Sequence, residues 1–322
     1  MIDPDLGAAP PLKPSGSRFR ILSLSGGGYR GLFTACILSD IEKEAGRPLN
    51  EIFDLICGTS IGGIIATGAA LGVPCEKISS SLETFGPAIF PKTKKFKALY
   101  TAKYAREPLE SAIKSILPNH DLPFADIEKN AFVTALDSTT GSPHLINTRQ
   151  FSSENNSSLS ILDALLSTST APTYFPPYLV AGRSYIDGGV IANAPDLVAL
   201  TQTMRHKHKD LSDCWMLSVG TASQSHASPA MQSNVGYGLA KWLKREKLVA
   251  VTLAAQEKLS IEQTELLLQN RYLRFDVKPA SRQEEVLDLD KADKVATDTL
   301  KLLASDCYET FSQNSIFSRL IE

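Results

Sequence analysis

Twice between Phe19 and Leu71 the chain runs from a short apolar stretch into a glycine turn and straight on into a helical pattern. That repetition constrains its fold more than any other feature. Phe19-Arg20-Ile21-Leu22-Ser23-Leu24 alternates apolar and polar residues, meets Ser25-Gly26-Gly27-Gly28, and leads into a helix from about Gly31 to Ala45. Phe53-Asp54-Leu55-Ile56-Cys57 ends at Gly58 and leads into a small-residue and aliphatic helix over Ile61 to Leu71. Further strands are predicted at Ala131–Leu136, His144–Thr148 and Trp215–Val219, and helices at Pro108–Ile116, Leu159–Leu166 and Ala194–Arg205. Strands alternating with helices imply an α/β fold of three layers, a mainly parallel central sheet with helices on both faces.

The 322 residues, 43% of them hydrophobic, suffice for one large core. No internal repeat or strong linker divides them. Residues 1–17, rich in Gly and Pro, read as a flexible N-terminal arm, and 18–322 as one catalytic domain. After Gly220 a Ser-, Ala- and Gly-rich loop runs to Gly238, and from about 236 the chain is a mostly helical C-terminal extension with one strand-like run at Tyr272–Val277. A formal net charge of -2 gives no global field to attract a nucleic acid polymer. The five cysteines are scattered without CxxC spacing, which suits free thiols in a reducing compartment and argues against a zinc site. The N-terminus lacks the basic start and apolar run of a secretory signal, and no stretch approaches the roughly twenty apolar residues of a membrane span. The expected location is cytoplasmic, with peripheral contact to the inner membrane.

Three short motifs carry the chemistry. Gly58-Thr59-Ser60-Ile61-Gly62 fits G-x-S-x-G where a strand turns into a helix. Gly58 and Gly62 permit a tight turn that lifts the Ser60 hydroxyl above the sheet at a helix N-terminus, whose dipole favours negative charge. The same small residues would also pack a helix closely on a strand. Ser25-Gly26-Gly27-Gly28-Tyr29-Arg30-Gly31 is a second strand-to-helix turn, whose three glycines let main-chain N–H groups converge on an anion or oxyanion, with Arg30 adding a positive charge. It also satisfies G-x-G-x-x-G through Gly26, Gly28 and Gly31, with Glu51 near the place of a ribose-binding acid, so a dinucleotide-binding module is a rival reading. Against that rival, Arg30 is bulky within the fingerprint and Glu51 precedes the second strand rather than ending it. Ser184-Tyr185-Ile186-Asp187-Gly188-Gly189-Val190, after the corner Ala171-Pro172-Thr173-Tyr174-Phe175-Pro176-Pro177, holds Asp187 on a tight turn. Taken alone, the segment reads more readily as an ordinary Asp-Gly hairpin turn.

Taken together, the three motifs resemble those of the patatin-like phospholipase family: a Gly-Gly-Gly-x-Arg-Gly loop, a G-x-S-x-G elbow and an Asp-Gly-Gly turn, in the same order. The resemblance runs from about Arg20 to Val219, and Ser25 departs from the aspartate the family often has there. It implies a phospholipid acyl hydrolase without metal or cofactor, in which Ser60 is the nucleophile, Asp187 its base, and the N–H groups of Gly26, Gly27 and Gly28 the oxyanion hole. Arg30, Gly58 and Gly62 support them. Of the five histidines, His206 and His208 lie in a charged run, His226 in a Ser- and Ala-rich loop, and His120 and His144 likewise read as structural. The acid-free stretch from Thr84 to Arg106 carries Lys92, Lys94, Lys95, Lys97, Lys103 and Arg106 among aromatics, suited to an anionic lipid surface or a phosphate ligand, or to a plain solvated loop. Some bacterial members of the family are antiviral effectors switched on by cyclic dinucleotides. That activator, contacting the basic segment and Arg149, and a homo-oligomer are the further partners the resemblance suggests.

Overall fold

The computed structural model describes residues 18–92, 101–117, 119–152, 158–223 and 248–322. The N-terminal arm, Lys94, Lys95, Lys97, His226 and the loop from Gln224 to Gly238 lie outside the described residues.

Among the described residues eight strands form one sheet: β1 Phe19–Leu24, β2 Leu55–Thr59, β3 Asn130–Asp137, β4 Ser142–Asn147, β5 Tyr178–Val180, β6 Arg183–Asp187, β7 Cys214–Val219 and β8 Tyr272–Phe275. The order is β5-β6-β3-β2-β1-β7-β8, with β4 also on β3. The run β3-β2-β1-β7-β8 is parallel, while β4, β5 and β6 pair antiparallel. The expected parallel sheet therefore has an antiparallel edge. Sheets of this kind bury both faces, which is why Ile21, Leu22, Ser23 and Leu24 of β1 are all fully enclosed.

Successive residues of each strand feed opposite layers. Leu22, Leu24, Ile56, Val133, Leu217 and Val219 join one core with Ile37, Leu38 and Ile41 of the Gly31–Ala45 helix and Leu300 of the Lys294–Phe311 helix. Ile21, Leu55, Cys57, Phe132 and Met216 join the other with Ala199 and Leu200 of the Asp196–Lys207 helix. The helix Cys75–Ile89 was not among the expected elements, although Cys75, Ile78, Leu82, Gly86 and Ile89 give it a buried stripe at helical spacing. β8, in the C-terminal third, pairs with β7 and is part of the central sheet.

The strand ends Leu24, Gly58 and Val219 are aligned by register, Leu24 facing Gly58 on one side and Val219 on the other. This is the carboxyl edge of the parallel strands, where open α/β sheets place their sites.

Candidate active site

Ser60 occupies the turn between β2 and the Ile61–Ala70 helix with φ 55 and ψ -125, a conformation that side-chain-bearing residues rarely adopt. The turn can be this tight only because its glycines let backbones meet. A Cβ on Gly58 would lie 2.2 Å from the Gly62 carbonyl oxygen, and one on Gly62 would lie 2.4 Å from that of Leu24. The Ser60 N–H donates to Thr168 Oγ1 at 2.9 Å, and its carbonyl accepts from Gly63 and Ile64, which starts the helix.

Asp187 reaches Ser60 through strand pairing. β3 bonds β2 along Asn130–Thr134, β6 along Ala135–Asp137, and β4 along Phe132–Asp137. Because β4 faces both other partners across β3, β2 and β6 share one edge of β3, and β6 meets it where β2 leaves off. Thr134 pairs with Thr59 and the next residue, Ala135, with Asp187. One step along β3 thus carries the ladder from the elbow to the carboxylate. Thr59 secures the junction, donating to the Ala192 carbonyl at 2.6 Å and sharing a hydrogen bond with Thr134 at 2.7 Å.

The Asp187 side chain is nearly enclosed, its residue 5% exposed. It accepts from the Gly189 N–H at 2.6 Å, and the Ser60 hydroxyl lies close enough to favour its ionised form. Burial outweighs the opposing influence of Ser60 and Gly189 and pushes its pKa up from 3.8 to about 6. A carboxylate so placed is ionised at neutral pH and is a far better base than a solvated one.

The glycine loop lies against this pair, since a Cβ on Gly26 would fall 3.3 Å from Ser60 Cβ and 2.5 Å from Asn193 Oδ1. Its three amides differ. The Gly26 N–H donates to the Asn193 carbonyl at 2.9 Å, which removes it from the oxyanion set expected above. The amides of Gly27 and Gly28 have no acceptor among the described residues. Gly28 has φ 57, and a Cβ there would lie 2.2 Å from the Leu289 carbonyl oxygen, so only glycine fits. The Tyr29 N–H donates to that same carbonyl at 2.8 Å. The Tyr29 amide is therefore not available to a bound pyrophosphate, and Glu51 is exposed on a short helix before β2. Arg30 is buried; desolvation lowers its pKa against the opposing pull of Glu257, Asp276 and Asp288, and its Nε has no partner among the described residues.

The other sequence candidates lie elsewhere. Lys92 is exposed, and Arg149 is ion-paired with Asp126. His120 Nδ1 pairs with the Leu117 carbonyl at 3.0 Å and His206 Nε2 with Gln202 at 3.0 Å. His144 lies against Tyr185 with ring centroids 5.3 Å apart, and His208 caps a helix in the left-handed conformation. Among the described residues no three or more His, Cys, Asp or Glu gather as metal ligands. Three site residues escaped sequence reasoning: Thr168, Asn193 and Thr221, whose Oγ1 donates to the Gly26 carbonyl at 3.3 Å. For Thr168 a signal existed, because Ser167-Thr168-Ser169-Thr170 is a run of hydroxyls closing an apolar helix, and the fold buries all four.

Fold and site together are those of an α/β acyl hydrolase. The family described as Patatin-like phospholipase matches residues 22–200, a span holding the glycine loop, the elbow and Asp187. Similar proteins include a cGAMP-activated phospholipase of Escherichia coli, 34% identical over 264 residues covering 75% of this chain and 74% of that protein. One of the same description from Vibrio cholerae is 34% identical over 269 residues, 76% of each. Patatin-like protein 1 of Oryza sativa subsp. indica is 30% identical over 284 residues, 75% of this chain and 68% of that one. The chain belongs to the patatin-like phospholipase family and is a lipid acyl hydrolase. Among the described residues no helix is long and apolar enough to cross a membrane.

Proposed function

We propose that the chain hydrolyses fatty-acyl esters of membrane phospholipids through a Ser60 acyl-enzyme, with Asp187 as the only side-chain base. The observation that carries this reading is the placement of the buried Asp187 carboxyl beside the Ser60 elbow, one step along β3 from it, with its pKa pushed up to about 6. Ser60 Oγ attacks the ester carbonyl carbon as its proton passes to Asp187. The oxygen that gains negative charge is held by the N–H groups of Gly27 and Gly28. When the tetrahedral intermediate collapses, the lysophospholipid oxygen leaves with the proton from Asp187 and the acyl group stays on Ser60. Water then attacks the acyl carbon, gives its proton to Asp187, and the fatty acid departs as Ser60 recovers that proton. A fluorophosphonate probe tests the nucleophile: wild type is labelled and hydrolyses a soluble ester, and Ser60→Ala does neither. Labelling undiminished in Ser60→Ala would refute the assignment.

Regulation rests on the relatives. The bacterial proteins at 31–34% identity are described as cGAMP-activated phospholipases, which supports a cyclic dinucleotide switch for this chain acting at the inner face of the membrane. Vesicle hydrolysis is expected to rise when cGAMP is added; full activity without nucleotide rejects the switch. If Lys94 and Lys95 dock the enzyme, reversing their charge weakens binding to anionic vesicles more than it slows hydrolysis of a soluble ester.

A further inference from the structure

The C-terminal third contains none of the motifs above, yet it sends two charged side chains, the buried Glu257 and the largely covered Arg274, to the back of the glycine loop. Arg274, on β8, donates to Glu257 at 3.2 Å, Asp276 at 2.8 Å, Ser218 at 2.6 Å and Ser25 at 3.3 Å. Glu257, on the Leu248–Leu268 helix, turns its second oxygen to Asn193, whose Nδ2 donates to it at 2.8 Å. The same Nδ2 donates to the Gly26 carbonyl at 3.3 Å, and the neighbouring Gln256 accepts the Asn193 N–H at 3.1 Å. A continuous chain of hydrogen bonds thus leads from Arg274 through Glu257 and Asn193 to one peptide of the loop.

That peptide is the one joining Gly26 to Gly27. In a trans peptide the carbonyl and the N–H point in opposite directions within one plane, so whatever fixes the Gly26 oxygen also fixes the direction of the Gly27 N–H. Asn193 and Thr221 hold the oxygen from behind. Glycine on both sides of the bond leaves its rotation otherwise weakly restrained. We propose that Glu257 and Arg274, acting through Asn193, are positioning residues that aim the Gly27 N–H at the oxyanion of the acyl-transfer intermediate. The inference rests on the Ser60 reading given above and assigns the C-terminal third a part in it.

The test compares Glu257→Ala, Glu257→Gln and Asn193→Ala with wild type on a soluble p-nitrophenyl ester, and measures inhibition by a trifluoromethyl ketone, whose adduct oxygen occupies the oxyanion position. Misaiming one donor affects the transition state more than the bound ester, so kcat falls roughly 10–100-fold in Glu257→Ala and Asn193→Ala while KM stays within about twofold. Ketone affinity falls in parallel with kcat. Glu257→Gln, which keeps one acceptor and the side-chain shape, lies between Glu257→Ala and wild type. Asn193→Ala leaves the Arg274–Glu257–Asp276 ion pairs intact and so remains testable where Glu257→Ala does not fold. Folded variants with kcat and ketone affinity within twofold of wild type would overturn the positioning role, as would losses confined to KM. If instead wild-type turnover does not depend on Ser60, it is the proposed function that fails.

Discussion

Replacing Asp187 by asparagine should abolish hydrolysis and make the protein more stable, by an amount that depends on pH in a defined way. Burial raises the carboxyl pKa from 3.8 to about 6, a shift of about two pH units; at about 1.36 kcal/mol per unit, keeping it ionised costs the folded state about 3 kcal/mol at neutral pH. The folded pKa lies above the unfolded one, so the folded protein holds the extra proton between about pH 4 and pH 6. Wild-type stability is therefore lost as pH rises through that window, and the asparagine variant, having no charge to gain there, does not share the loss. The electrostatic gain is about 1 kcal/mol at pH 4.5 and about 3 kcal/mol at pH 8. Burying an amide adds its own cost, but that part is independent of pH and cancels when the two values are compared. Urea unfolding of both proteins at the two pH values measures the difference, which should grow by about 2 kcal/mol from acid to alkaline. A stability difference constant to within about 0.5 kcal/mol across that range would show that the Asp187 carboxyl is not a desolvated base.

The same pKa sets the acid limb of catalysis: on a soluble ester, kcat/KM should fall about tenfold per pH unit below pH 6, because protonated Asp187 cannot accept the serine proton. Ser60→Gly and Ser60→Ala should both be inactive, yet the glycine variant should unfold at higher urea by about 1 kcal/mol, since only it relieves the backbone strain at φ 55. Thr168→Val removes the acceptor of the Ser60 N–H and should cost about 1–3 kcal/mol of stability with slower fluorophosphonate labelling. Gly26→Ala should fold but lose most labelling, because the added methyl group meets Asn193 and Ser60 directly.

The first strand-turn-helix unit was legible to the residue, Phe19–Leu24 and Gly31–Ala45 being strand and helix as read. The second strand, read as Phe53–Cys57, lies two residues later at Leu55–Thr59 because Gly58 and Thr59 still pair with β3. Their information is local, held in alternation, glycine turns and helical length. The antiparallel edge was not legible, because β5 and β6 are short and their partner, β3, is remote in sequence; Ala135 and Asp187 are neighbours only through the sheet. The fate of the Gly26 amide was hidden for the same reason, its acceptor Asn193 being a long-range contact. Glu257 and Arg274 left no signal at all. A residue that acts by holding another obeys no spacing rule, and an acid on a helix and an arginine on a strand read as surface charge until the fold buries them.

The meeting of β2 and β6 along one edge of β3 divides the site between two kinds of anchorage. The nucleophile hangs from an interior strand gripped on both sides; the base hangs from a marginal hairpin bonded to β3 over only three residue pairs. Peripheral pairs of this sort open first when a protein fluctuates or warms. Heat should therefore part the two halves of the site while the central sheet is still intact, and enzyme activity would disappear ahead of the folded core.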